Sequence, residues 1–280
     1  WMLRMTDAMI DDSRSKLRMK QNISFGTMLD QFAEKTGFNM REQPFKPDRR
    51  EPCFCGSGLR FKHCCGSFAD DRKPPHGVHV IDDFLSSNQC KKWLDSARQR
   101  PSSWLRVVDP ERSTADKTVF MKDPHRVTER VDMSSKQLEL NRLVREALRS
   151  HILPVFKDDA AWFEPPHVLK YSPGGYYNTH ADSHYLDPKS GLWDKILDRD
   201  VSLLMYLNGD YSGGALRFDN FNYTLRPRPG MLVFFPSDHR YLHTAEQVTS
   251  GIRYAIVSWV ALQQPHKVCA QAPESAIRVS

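Results

Sequence analysis

A chain of 280 residues has room for one domain of about 200 residues and a further small module. Its 40% hydrophobic and 26% charged content excludes wholesale disorder, and its net charge of +6 is spread as Lys and Arg interleaved with Asp and Glu, which argues against nucleic acid as a partner. The longest apolar stretches, Val201 to Leu207 and Ala255 to Leu262, fall far short of the ~20 residues of a membrane helix, so no membrane partner is expected.

Asp7, Asp11 and Asp12 stand where a secretory signal would carry its apolar core, which points to a cytoplasmic chain; Trp1 is not an initiator residue. Residues 1–50 are expected to form a helical extension and a linker. Within them Phe25, Met28, Leu29 and Phe32 fall at helical spacing, with Ser24 as cap and Gly37 as stop, before a Pro-punctuated stretch at 43–52. A second linker at 70–77 leads to Val78-His-Val-Ile81, the strand that opens a main domain spanning 78–262. Ser86 or Ser87 caps a helix through Trp93, Leu94 and Ala97, and Leu138 to Leu153 reads as a second helix closed by Pro154. Beyond Val168 the pattern turns to short strands: Val168–Tyr171, Ser202–Leu207, Ala215–Phe218, Met231–Phe235 and Tyr254–Val260, separated by Gly, Pro, Asn and Asp. Helices followed by many strands predict an α+β domain built on a β-sandwich or jelly roll, with 263–280 as a C-terminal tail.

Four of the six cysteines are clustered, while Cys90 and Cys269 are isolated and expected to be inert. The segment Cys53-Phe-Cys55-Gly-Ser-Gly-Leu-Arg-Phe-Lys-His-Cys64-Cys65 sets two pairs across eight residues that include Gly56 and Gly58. In a chain without an export signal such clusters are metal ligands rather than disulfides, and four thiolates form a closed, structural zinc site. His63 is left out, because Cys65 supplies the fourth ligand. The segment, over 51–68, resembles the SEC-C motif, and the resemblance implies a docking element that contacts partners such as a chaperone or the ribosome.

A second signal is Tyr171-Ser-Pro-Gly-Gly-Tyr-Tyr177-Asn-Thr-His180-Ala-Asp182, followed by His243 and Arg253. Residues two apart in a strand share a side, so His180 and Asp182 can bind one metal, with His243 from a distant strand as third ligand. Two histidines and one carboxylate on one face mark non-haem iron(II) oxygenases, whose open positions take co-substrate and dioxygen. His184 extends the cluster but is rejected as a ligand, since three ligands on one strand would leave His243 and Arg253 unexplained. Arg253 is in phase with Ala255, Val257 and Trp259, which sets a charge among apolar neighbours and calls for an anionic partner.

With Leu203-Leu-Met-Tyr206-Leu-Asn, Gly213-Gly-Ala-Leu-Arg-Phe218 and Pro229-Gly-Met-Leu-Val-Phe-Phe235 between them, these motifs resemble the prolyl 4-hydroxylase family of iron(II) and 2-oxoglutarate oxygenases from about Val78 to Leu262. The resemblance implies a double-stranded β-helix (jelly-roll) core with supporting helices beside the small zinc module. It assigns iron to His180, Asp182 and His243, and the distal carboxylate of 2-oxoglutarate to Arg253 with help from Tyr206. Tyr171 is a candidate near the metal, Trp259 is either a pocket wall or core, and Arg199 is either a substrate contact at the pocket mouth or a solvated charge. The stretch from Ser183 to Asp200 reads as a long loop serving as a lid over substrate. Iron(II), 2-oxoglutarate and dioxygen are the implied cofactors, with ascorbate as an accompaniment to them and zinc in the cysteine module. The expected reaction is hydroxylation of a prolyl residue in a cytoplasmic protein, with the translation apparatus as a candidate source. Hydroxylation of a free amino acid or small metabolite, and a non-catalytic adaptor docking through zinc, are the alternatives.

Overall fold

The computed structural model describes residues 41–42, 48–53, 58–67, 73–108, 120–123, 125–265, 267–269 and 271–279. The helix expected from Ser24 lies outside them, as does Cys55. Two antiparallel sheets dominate. The larger runs in the order His79–Ile81, Leu232–Pro236, Val201–Tyr206, Arg253–Leu262, His167–Tyr171, Glu129–Val131, Ser102–Trp104. The smaller runs Tyr223–Leu225, Leu216–Phe218, His243–Ala245, Tyr176–His180, Arg126–Val127. This is the mostly antiparallel architecture, with few helices, that the strand-rich second half of the sequence foretells.

The central strands of the larger sheet are buried on both faces, and their period of two divides the core. Tyr254, Ile256 and Val260 pack with Leu203 and Met205 against Trp93 and Ala97 of the helix Ser87–Arg98 and against Leu140, Leu143 and Val144 of the helix Gln137–Ala147. Arg253, Ala255, Val257 and Trp259 face the other way, and with Ser202, Leu204 and Tyr206 they line a cavity of about 80 Å³. Cross-strand register keeps these residues in rows: Arg130 beside Leu169, Leu169 beside Ala255, Ala255 beside Tyr206.

The first helix starts as its sequence predicts. The Ser86 hydroxyl accepts from the Gln89 amide at 3.3 Å, and the Gln89 side chain accepts from the Ser86 amide at 2.8 Å, a reciprocal cap. The second helix corrects its sequence reading. It does not stop before Pro154: a π turn at Leu148–Ile152 widens the backbone ahead of the residue that has no N–H to donate, and a last helical turn, Leu153–Phe156, follows. Two further differences lie in stretches read as irregular. Ser183 to Asp200 contains a hairpin, His184–Leu186 against Trp193–Lys195, whose second strand also pairs with Arg41–Glu42. The C-terminal tail supplies Ile277–Arg278 to Ala160–Phe163, with Ile277 and Val279 packed on the core.

Ile256 is fully buried on the helix-facing side of the sheet and lies away from the cavity. Ile256→Ala is expected to cost about 2–5 kcal/mol, by the burial lost and the void left. Chemical denaturation should record that loss with an unchanged denaturant dependence.

Candidate active site

The smaller sheet brings two imidazoles together by register, because His180, at the end of Tyr176–His180, stands opposite His243 at the start of His243–Ala245. Each ring is oriented by its own backbone: Nδ1 of His180 meets the Asn178 carbonyl at 2.8 Å, and Nδ1 of His243 meets the Tyr241 carbonyl at 3.0 Å. Both Nε2 atoms therefore turn inward, 3.7 and 3.5 Å from the two oxygens of Asp182. Asp182 lies just past the strand end rather than within it, with its amide on the Ser237 carbonyl at 3.2 Å. The same-side geometry expected of a continuous strand is thus supplied by an anchored bend.

The donor atoms of His180, Asp182 and His243 lie within 4.8 Å of one another. Two imidazoles and a carboxylate grouped at one side of a cavity suit a first-row divalent metal with open positions, so this donor set fits iron(II). Burial alone would push the Asp182 carboxyl up, but His243, His180, Arg199 and a 2.6 Å hydrogen bond from Ser202 bring it down to about 2. The group is a carboxylate at any physiological pH. Phe235 abuts the His243 ring edge-on at 4.8 Å, and Tyr177 stacks on His180 at 3.5 Å, which fixes both rings.

Deeper in the same cavity Arg253 is 2% exposed. Its Nη1 donates to the Gly214 carbonyl, and its guanidinium lies 4.0 Å over the Tyr171 ring. Its Nε has no hydrogen-bond partner among the described residues, and the same holds for the buried hydroxyl of Tyr211. Tyr206 lines the cavity beside Arg253, and burial drives its phenol above the usual range despite that nearby positive charge. A buried cation with an orphaned donor, next to phenols that stay protonated, suits a carboxylate ligand, so these residues fit 2-oxoglutarate. Gly214, at φ +63°, allows the approach: a Cβ there would press on Val248, Tyr211 and the Arg253 side chain.

Trp259 lines the cavity, in agreement with its phase on the strand. Arg199 is neither a solvated charge nor a residue of the cavity mouth. It is buried, forks onto both oxygens of Glu164, donates to the Asp182 carbonyl at 3.3 Å and stacks 3.8 Å over Trp259. A guanidinium in so dry a site needs an anion, and Glu164 provides it, so Arg199 holds the backbone of Asp182 rather than a substrate. None of residues 183–200 lines the cavity, and His184 turns away from the triad to meet Ser183 and His239. Ser202, Tyr211 and Gly214 escaped the sequence reading. Ser202 was accessible in principle, since it alternates in phase with Tyr206.

In the cysteine segment the ligand atoms of Cys53, Cys64 and Cys65 also lie within 4.8 Å of one another. The loop closes through a bridge between Pro52 and Arg60 and a 3-10 turn, Phe61–His63, with His63 exposed and outside the cluster.

Comparison with known proteins agrees with both features. Residues 166–261 match the family model of the 2OG-Fe(II) oxygenase superfamily, and residues 49–67 match that of the SEC-C motif. A "Putative prolyl 4-hydroxylase" of Acanthamoeba polyphaga mimivirus is 32% identical over 204 residues, covering 65% of this chain and 80% of that protein. A "PKHD-type hydroxylase" of Sphingopyxis alaskensis is 36% identical over 100 residues, 34% of this chain and 43% of that protein. Among solved structures, the viral collagen prolyl hydroxylase of Paramecium Bursaria Chlorella virus-1 aligns with a TM-score of 0.45 at 21% identity, over 66% of this chain and 95% of that one. On the family model and the mimivirus relative, the chain belongs to the 2OG-Fe(II) oxygenase superfamily, among its prolyl 4-hydroxylase-like members, and is an enzyme of that type with a SEC-C motif ahead of its catalytic domain.

Proposed function

We propose that this enzyme binds iron(II) through His180, Asp182 and His243, binds 2-oxoglutarate through Arg253 and Tyr206, and hydroxylates a prolyl residue of a protein. The observation that carries this reading is a single cavity lined at once by the three metal donors and by the buried guanidinium of Arg253. Iron(II) in this site would supply the activation of dioxygen that couples decarboxylation of 2-oxoglutarate, to succinate and carbon dioxide, to insertion of oxygen into a C–H bond. The protein's own contribution is placement. Arg253 and Tyr206 hold the distal carboxylate, Tyr171 backs the guanidinium, and the apolar walls of Leu169, Leu204 and Val257 keep water from the reacting end.

A protein substrate is favoured by the names of the relatives, which are prolyl and PKHD-type hydroxylases, and by a rim that reaches solvent at Arg106. The SEC-C segment, with zinc on Cys53, Cys55, Cys64 and Cys65, is read as the element that recruits this substrate in the cytoplasm, with the translation apparatus as its source. Ascorbate serves as an external reductant of the iron. The test is succinate formation by iron-loaded enzyme given prolyl peptides or free proline, followed by mass spectrometry of a treated lysate. Stimulation by free proline alone would replace the protein substrate with a small one.

Ala at His180, Asp182 or His243 is expected to abolish succinate formation while the thermal transition of the apo-protein persists; full turnover in any of the three would remove that residue from the site. Arg253→Lys replaces a planar fork with a point charge, and losing one charged hydrogen bond of ~1.5–3 kcal/mol raises KM for 2-oxoglutarate about 10- to 100-fold. An unchanged KM would mean that another group binds the distal carboxylate.

A further inference from the structure

The cysteine segment and the metal donors of the oxygenase sit in separate parts of the chain, yet three hydrogen bonds, linked through the His76 peptide groups and the body of Tyr241, join them. The amide of His76 donates to Sγ of Cys65 at 3.5 Å. The hydroxyl of Tyr241 donates to the carbonyl of the same His76 at 3.0 Å. The carbonyl of Tyr241 in turn receives Nδ1 of His243 at 3.0 Å. Between the Cys65 sulfur and the His243 ring the path runs through the His76 peptide groups and Tyr241.

We propose that Tyr241 is a positioning residue through which the cysteine module sets how tightly the His180–Asp182–His243 site holds its metal. The inference rests on the reading of those three residues as metal ligands. A ligating histidine binds through one nitrogen while the other donates to an oriented acceptor, and the quality of that outer bond governs the basicity and aim of the first. For His243 the outer acceptor is the Tyr241 carbonyl, so whatever fixes Tyr241 fixes the ligand.

Three observations show that Tyr241 is fixed from the side of the cysteine module. Gly77 has φ +86°, and a Cβ on it would fall 2.1 Å from the Tyr241 hydroxyl, so the segment after the module is shaped to receive that group. Phe61, Cys53 and Cys65 share one buried cluster with Tyr241, Phe218 and Phe235, and Phe218 and Phe235 are the aromatics that surround His243. Tyr241 itself is 4% exposed, ends the 3-10 turn His239–Tyr241 and packs on Phe221 at 5.4 Å. A thiolate on zinc is a stronger acceptor for the His76 amide than a free thiol. Removing zinc therefore loosens the first link and with it the His76 peptide whose carbonyl receives the Tyr241 hydroxyl. By linkage, metal in the oxygenase site must strengthen zinc binding by the same factor.

The test uses full-length, zinc-loaded protein and manganese(II) as probe, because manganese favours carboxylate and imidazole over thiolate and its free ion is counted by paramagnetic resonance. Manganese binding that disappears in His180→Ala locates the probe; binding indifferent to His180→Ala overturns the ligand reading and this inference with it. Tyr241→Phe removes one hydroxyl and keeps the ring. It is expected to retain zinc and to weaken manganese binding by about tenfold. Cys65→Ser, which loses zinc, should weaken manganese by a similar factor, and the double variant should fall no further than the worse single one, as members of one path do. Should Cys65→Ser fail to fold, Tyr241→Phe alone decides. Manganese affinity unchanged in Tyr241→Phe, or fully additive losses in the double variant, would overturn the proposal and leave the hydroxyl a purely structural bond.

Discussion

The strand Arg253–Leu262 is buried along both faces and opens with a charge, and much of the architecture can be understood as meeting those two conditions. One face needs apolar cover, which the helices Ser87–Arg98 and Gln137–Ala147 supply through Trp93, Leu140 and Val144. The other face begins with a guanidinium that must be lodged in the interior without losing its hydrogen bonds. The second sheet answers by enclosing a cavity rather than closing on the first. Tyr171 stacks on the cation, Gly214 offers its carbonyl, and a cavity lies beyond. The cavity is thus the place where the core between the two sheets stays unfilled, beside a residue that carries charge.

A second arginine shows how the same difficulty is solved when no ligand is wanted. Arg199 is buried about as deeply as Arg253, but Glu164 takes both arms of its fork and Trp259 covers its face. Nothing of its charge is left over, and its remaining donor reaches the backbone of Asp182. The contrast separates a closed ion pair from a buried cation with a donor left over. Arg253 keeps an orphaned Nε and Arg199 does not.

The difference between those two arginines also marks how far the sequence could be read. The phase of Arg253 with Ala255, Val257 and Trp259 is a local pattern, and these four residues do lie along one cavity wall. His180 and His243 were legible as a motif, although the bend that carries Asp182 was not. Arg199 was misplaced because its partner, Glu164, lies 35 residues away and follows no period. The hairpin at His184–Leu186 and Trp193–Lys195 and the strand Ile277–Arg278 were missed for another reason: two or three residues are too few for alternation to register, and their pairing is decided by tertiary neighbours. Pro154 was read by the general rule that proline ends a helix, whereas here a π turn just before it absorbs the missing donor.

The relation of the cysteine segment to the oxygenase follows from size. A loop of about 20 residues cannot bury enough surface to order itself, so it depends on a metal, on a neighbouring core, or on both. The neighbouring core is engaged here, and three thiols are grouped closely enough to hold a metal. The described part of the loop buries one aromatic, Phe61, and that ring packs over Gly66, where any Cβ would collide with it. The cluster that contains Phe61 continues without a break into Phe218, Phe235 and Tyr241. The loop has therefore spent its inward face on the catalytic domain, and what remains for a partner is the outward one, where Leu59 is 53% exposed and His63 points to solvent. A segment arranged in this way need not be either a docking element or a buttress. Its inward face packs on the catalytic domain while its outward face stays exposed, so one segment can carry both roles.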